Sequence, residues 1–357
     1  SPGPERTHCR MASRCIEWRD VHAIFYCCIL VLIVGSSTVQ ALSLPPVIDS
    51  HMVLQRAPYS AVLWGTSSWG DVVQVYLDGV LVNSTTTLKD GSWSLSLSPQ
   101  VAGTGHNLTL SVQNSHSVSP IILTDIAFGD VWLCSGQSNM QMTVNQCCMD
   151  GSDCEDDIAD SINYPNLRLF TVLMNASTTP IHTLASQSNY TWARSSPSAI
   201  PLPGYAEWSW FSATCYYFGR ELYKKHGGEL PIGLVASDWG GTIIEAWSSP
   251  DALARCSSDP IQAARSSAVQ LINISHTKNS LDGHSVGAYE YLSRAGVGDS
   301  SRSIEEGVNP NTPSVLYNAM IYPLLPMRFY GSVWYQGESN AGSPGLYSCQ
   351  LPAMVHF

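Results

Sequence analysis

The sequence predicts an α/β protein, a parallel sheet with helices on both faces, preceded by a small antiparallel β-sandwich-like region. Three observations lead there. Downstream of Asp125, near-continuous apolar runs stop abruptly at clusters of Gly, Ser and Asn, as strands buried on both faces do. Stretches with helical spacing separate those runs. Upstream, from Leu42 to residue 124, the runs are short and alternate with period two, setting one face of each strand in a core and the other in water.

The first 41 residues stand apart from that fold. Ala23 to Gly35 is a run of thirteen apolar or small residues, shorter than the roughly 20 a membrane helix needs. Arg14 and Arg19 precede it, Met11 offers a start, and Val39-Gln40-Ala41 follows with small residues where a signal peptidase cuts. Residues 1–41 are therefore read as a leader and cleaved signal peptide, with entry into the secretory pathway and no membrane span in the mature chain.

Within 42–124, Ser60–Trp64, Val72–Leu77, Trp93–Leu97 and Leu108–Val112 alternate as half-buried strands, and Asp78-Gly79 and Asp90-Gly91 carry hairpin-type turn signals. These residues form the first domain. The second, 125–357, offers the strands Val131–Cys134, Leu167–Val172, Ile232–Ser237 and Ser332–Tyr335. Phe211–His226 reads as a helix, with Phe218 and Leu222 on one face, basic residues in its last turn and Gly227 as its stop. Thr312-Pro313 reads as the N-cap and first residue of another.

Composition removes several function classes. The 357 residues carry 17 Lys+Arg against 28 Asp+Glu, a net charge of −11. Nucleic acid needs clustered positive charge, so that partner is set aside. Eleven Trp and 16 Tyr supply aromatic surface that needs a core, which sets aside long disorder. The seven cysteines after residue 41 are Cys134, Cys147, Cys148, Cys154, Cys215, Cys256 and Cys349, an odd number that leaves at least one without a partner in the chain. Cys147, Cys148 and Cys154 lack the His pair of a zinc site and point to a local disulfide. No metal or cofactor is expected. Asn83, Asn107, Asn175, Asn189 and Asn273 each open a glycosylation sequon.

Three strands end in small polar clusters: Ser135-Gly-Gln-Ser-Asn-Met140, Asp238-Trp-Gly-Gly-Thr242 and Gln336-Gly-Glu-Ser-Asn340. Each alone is a turn. Together they matter, because ligands of open α/β sheets sit outside the carboxyl ends of the strands. The chemistry suggested is acyl transfer. Ser138, at a strand-to-helix junction, is presented above a helix N-terminus whose N–H groups favour an oxyanion. Gly240 or Gly241 brings a backbone N–H to the same oxygen unobstructed, and a side-chain amide of the third cluster supplies another donor. The Gly-x-Ser-x-Gly elbow of α/β-hydrolases is absent, since Asn139-Met140 follows Ser138.

The segments Asp130–Met142, Ile232–Ser248, Ser314–Ile321 and Val333–Asn340 resemble the sialate O-acetylesterases, within the SGNH/GDSL-type esterases, and the similarity runs from about His51 to Ala353. The resemblance implies a flavodoxin-like SGNH-hydrolase sheet and a secreted or lysosomal serine esterase that removes O-acetyl groups from sialic acids or another acetylated glycan. It implies Ser138 as nucleophile, with its own N–H, Gly240 or Gly241, and Gln336 or Asn340 around the oxyanion. Gln336 is the favoured side-chain donor and Glu338 a supporting residue. Such esterases also carry an Asp and a His near the C-terminal end of the catalytic domain, and these 357 residues show no such pair. Only four strands are found where five or six are usual. His356 has no Asp beside it, while His51, His106, His116 and His182 read as loop residues, His226 as a helix C-terminal cation, and His284 carries no signal. Slow or absent turnover by this chain is the resulting expectation. An acetylxylan-type carbohydrate esterase and a non-catalytic glycan-binding form are the alternatives, and no function attaches to 251–306.

Overall fold

The computed structural model describes residues 41–113, 118–146, 154–186, 190–201, 211–257 and 308–356. The expected signal peptide, Cys147, Cys148, Asn189, Asn273, His116 and His284 lie outside them, as does most of 251–306.

Eleven strands are described: β1 Val53–Gln55, β2 Val62–Thr66, β3 Val72–Leu77, β4 Val80–Thr86, β5 Ser92–Ser96, β6 Gly103–Val112, β7 Ile121–Gly136, β8 Leu167–Thr171, β9 Ala193–Arg194, β10 Ile232–Asp238 and β11 Gly331–Tyr335. The helices are α1 Ser138–Gln141, α2 Cys154–Asp160, α3 Ala213–Lys225, α4 Ile244–Trp247, α5 Pro250–Arg255 and α6 Pro344–Val355. The main sheet has the order β4-β3-β6-β7-β10-β8-β9, with β1 and β11 also on β7, and β2 pairs with β5 in a second sheet.

β7 joins two kinds of structure. Its first residues run antiparallel to β6, with Leu110 opposite Ile121 and Leu108 opposite Leu123. Its later residues run parallel to β10, from Ile232 opposite Asp130 to Asp238 opposite Gly136, and to β11, with Tyr335 also opposite Gly136. The division expected between residues 124 and 125 falls inside this strand. Upstream, Asp78 and Gly79 adopt positive φ values of 50° and 82° between the paired Leu77 and Val80, as a two-residue hairpin needs. Asp90-Gly91 also makes a turn, with Gly91 at φ 81°, but no β4–β5 hairpin, because β5 pairs instead with β2. Leu63, Trp93 and Leu95 from that small sheet share one core with Val73, Val75, Leu108 and Leu110 of the large one.

Strand β10 of the parallel part is covered on both faces, whereas β11 is only part-buried, with Tyr335 46% exposed. Leu234 and Ala236 of β10 pack with Cys215 and Tyr216 of α3, while Val235 packs with Leu316 and Met320 on the other side. Helix α3 forms within the expected limits: the Ser212 hydroxyl accepts from the Cys215 N–H at 3.1 Å, Lys224 and Lys225 sit in its last turn, and Gly227 follows at φ 67°. The helix expected from Pro313 begins later. Ser314 is at φ 66°, with its N–H held by the Glu245 carbonyl, so Pro313 lies in a turn and the helical segment that follows has a π turn over Tyr317–Ile321. Among the described residues two disulfides brace the layers, Cys134–Cys215 between β7 and α3 and Cys256–Cys349 between the end of α5 and α6. Among the described residues no helix is long and apolar enough to cross a membrane.

Candidate active site

The carboxyl ends of β7, β10 and β11 lie side by side, so the three polar clusters meet. Gly136 ends β7 at φ 152°, and a Cβ there would meet the Tyr335 carbonyl oxygen at 2.1 Å, so only glycine lets β11 close on the strand end. The next residue fastens the clusters together. Gln137 donates its N–H to the Tyr335 carbonyl at 3.1 Å, and its buried side-chain oxygen accepts from the N–H groups of Ser339 at 3.1 Å and Gly337 at 3.4 Å. The sequence reading gave Gln137 no role of its own; a polar side chain between two strand-end turns was the available signal.

Ser138 opens α1, which is one turn long. Its N–H is free of the helix's own bonds, since Met140 and Gln141 donate to the Gln137 carbonyl. A helix this short carries little macrodipole, so the expected helix field reduces to individual N–H groups. Ser138 is part-exposed, whereas Ser135 is 4% exposed with its hydroxyl buried and unpartnered.

The two glycines divide their roles. The Gly241 N–H points at Ser138 Oγ from 3.4 Å, while the Gly240 N–H is taken by the Gln141 side-chain oxygen at 2.6 Å. A Cβ on Gly240 would meet that oxygen at 2.8 Å and Ser138 Oγ at 3.5 Å. Gly241 sits at φ 74°, and its carbonyl accepts from Asn311 Nδ2 at 3.2 Å.

In the third cluster, Gln336 Nε2 donates to Asn340 Oδ1 at 2.7 Å and to the Thr242 carbonyl at 3.1 Å, while its Oε1 is buried without a partner. Both amide hydrogens therefore have acceptors, and donation to an oxyanion would require one contact to open or be shared. Asn340 is buried and donates to Glu245. Glu338 accepts from Asn139 Nδ2 at 2.6 Å, linking the first and third clusters. Asp238 ends β10 beside these groups, and burial pushes its carboxyl up to about 7.

The five described histidines have places of their own. His51 bonds Asp125 and His106 bonds Asp78. His182 packs edge-on to Tyr322, and burial lowers its pKa. His226 and His356 are exposed at the C-terminal ends of α3 and α6. Among the described residues no group of three His, Cys, Asp or Glu is placed to hold a metal. Asn83 and Asn107 are exposed, whereas Asn175 is 7% exposed with its side-chain oxygen on the Ala176 N–H.

No family model matches the chain. It is 36% identical to a sialate O-acetylesterase of Mus musculus over 315 residues, covering 86% of this chain and 54% of the relative. The sialate O-acetylesterase of Homo sapiens is 34% identical over 315 residues, covering 86% and 51%. The chain thus spans about half the length of the curated relatives it matches. A solved carbohydrate acetylesterase from Xanthomonas citri superposes with a TM-score of 0.63 at 27% identity, covering 88% of this chain and 56% of that one.

Proposed function

The chain is a relative of the sialate O-acetylesterases, and from that premise we propose that it is built as a serine esterase removing O-acetyl groups from sialic acids or related glycans. The observation that carries the reading is the Gly241 N–H aimed at Ser138 Oγ from the neighbouring strand end. In the first step Ser138 Oγ attacks the acetyl carbonyl carbon and the carbonyl oxygen becomes an oxyanion, while the hydroxyl proton goes to a general base. None of the described histidines is hydrogen-bonded to Ser138 for that role. The N–H groups of Ser138 and Gly241 flank the position where that charge develops. Collapse expels the sugar alkoxide, which takes up a proton, and water then releases acetate. The neutral alternative, an acetylated xylan-type sugar, fits the same acyl chemistry.

The reading extends to the compartment: two disulfides suit an oxidising, secretory environment, and Asn83 and Asn107 offer exposed sites for glycans. The test compares Ser138→Ala with Ser135→Ala, using acetate release from acetylated sialic acid and labelling by a small fluorophosphonate. Loss of both signals in Ser138→Ala alone is expected. Retained labelling in Ser138→Ala, or loss confined to Ser135→Ala, would overturn the assignment.

A further inference from the structure

Glu245, in the one-turn helix α4, belongs to none of the three polar clusters, yet two side-chain amides converge on it. Asn340 Nδ2 donates to one carboxylate oxygen at 2.9 Å, and Gln350 Nε2 of α6 donates to the other at 3.0 Å. A carboxylate only accepts, so it dictates how each amide faces. With Nδ2 turned to Glu245, Asn340 must turn Oδ1 the other way, where it accepts from the Ile244 N–H at 2.9 Å and from Gln336 Nε2 at 2.7 Å. Gln336 must then present Nε2 to Asn340 and Thr242, and its unpartnered Oε1 away from them.

We propose that Glu245 is a positioning residue for the Ser138 site: it sets the sense of a one-way hydrogen-bond chain, Gln350 and Asn340 to Glu245 and Gln336 to Asn340, and together with the Thr242 carbonyl keeps the Gln336 amide in one orientation beside the strand ends. The proposal rests on the esterase reading of Ser138. The oriented amide is held between the Asn340 side chain and the Thr242 carbonyl in a single arrangement. The chain also ties the site to α6, whose Cys349, next to Gln350, is bonded to Cys256 of α5. The two outer amide oxygens, Gln336 Oε1 and Gln350 Oε1, are buried without partners, so neither end of the chain opposes the direction that the carboxylate imposes.

Glu245→Gln is the decisive substitution because it keeps size and shape but leaves one acceptor oxygen for two amide donors. Either Asn340 or Gln350 then faces an N–H. Adding Gln350→Glu reverses the second bond: the new carboxylate accepts from the amide at 245, whose oxygen is free again for Asn340. In the full 357-residue chain, Glu245→Gln is expected to lower kcat for acetate release by about ten- to a hundredfold with KM within about twofold, and the double variant to recover most of it. The side-chain amide resonances of Gln336 and Asn340 are measured alongside in ¹⁵N-labelled protein. They should exchange slowly with water in the parent, quickly in Glu245→Gln and slowly again in the double variant. Unchanged exchange or kcat in a folded Glu245→Gln, or no recovery in a folded double variant, overturns the proposal. Should the parent release acetate too slowly to measure, as expected of residues that show no Asp and His pair, fluorophosphonate labelling of Ser138 carries the test of the esterase reading while amide exchange decides the role of Glu245.

Discussion

Strand β7 carries two polar constructions, Asp125 near its start and the Ser138 turn past its end, and they are finished to different degrees. At Asp125 the carboxylate is saturated: Arg194 donates to both oxygens, Arg168 Nη2 to Oδ1 at 3.0 Å and His51 Nδ1 to Oδ2 at 2.7 Å. Arg168 itself is fully buried and also bonds the Asp125 and His51 carbonyls, with only its Nε left without a partner. Burial alone would raise the Asp125 pKa, but the bonds from Arg194 and His51 and the charge of Arg168 outweigh it and hold the carboxyl well below the usual range. At the Ser138 end, capacity is left over in the Ser135 hydroxyl, Gln336 Oε1 and the Asp238 carboxyl. A closed cluster spends its hydrogen bonds on the fold. An open one holds donors and acceptors for something that arrives later.

Substitutions at the two ends should break or sharpen that contrast. The largest effect is expected from Asp125→Asn, which leaves the buried Arg168 without its counter-charge and should cost about 3–5 kcal/mol by urea unfolding. Because the folded pKa of Asp125 is depressed, its contribution is present above the ordinary carboxylate pKa and is lost as pH falls through the folded value. A loss under about 1 kcal/mol would show that the cluster is not what it looks like. Next comes Gly136→Ala, where the new methyl meets backbone rather than a movable side chain; about 1–3 kcal/mol is expected, with weakened exchange protection along β11.

Asp238→Asn should act in the opposite direction. Its folded pKa of about 7 lies above the ordinary 3.8, so the ionised form penalises the fold increasingly as pH rises between those values. The variant should gain roughly 1–3 kcal/mol over the parent at pH 8 and nothing near pH 3, read from paired denaturant titrations. Equal gains at both pH values would remove Asp238 from the open set. The smallest change is expected for Glu338→Gln, whose link to Asn139 is exposed: less than about 1 kcal/mol by thermal unfolding.

Much of this was legible in the sequence, and the exceptions have physical causes. Period-two runs found β2, β3, β5 and β6 because each has one buried face, and unbroken apolar runs found β8, β10 and β11. The meeting of the clusters at Ser138, Gly241 and Gln336 follows from strand ends alone. Three residues of β1 gave no periodicity to read. The full length of β7 was hidden because Asp125, at φ 58°, has the composition of a turn while its backbone continues between two ladders. Pattern reading also could not show that Gln141 takes the Gly240 N–H, or that both hydrogens of Gln336 are engaged. Those are long-range pairings of side chains whose types are unremarkable in a turn.

The sixteen residues of β7, about 50 Å if fully extended, are shared between the antiparallel ladder with β6 and the parallel ladders with β10 and β11. A shared strand makes the two regions one cooperative unit in heat and in acid, since neither can melt without surrendering a strand that the other needs. A proton taken up at Asp125 is therefore not a local event: the acid sensitivity built into one end of the strand reaches the Ser138 turn at the other.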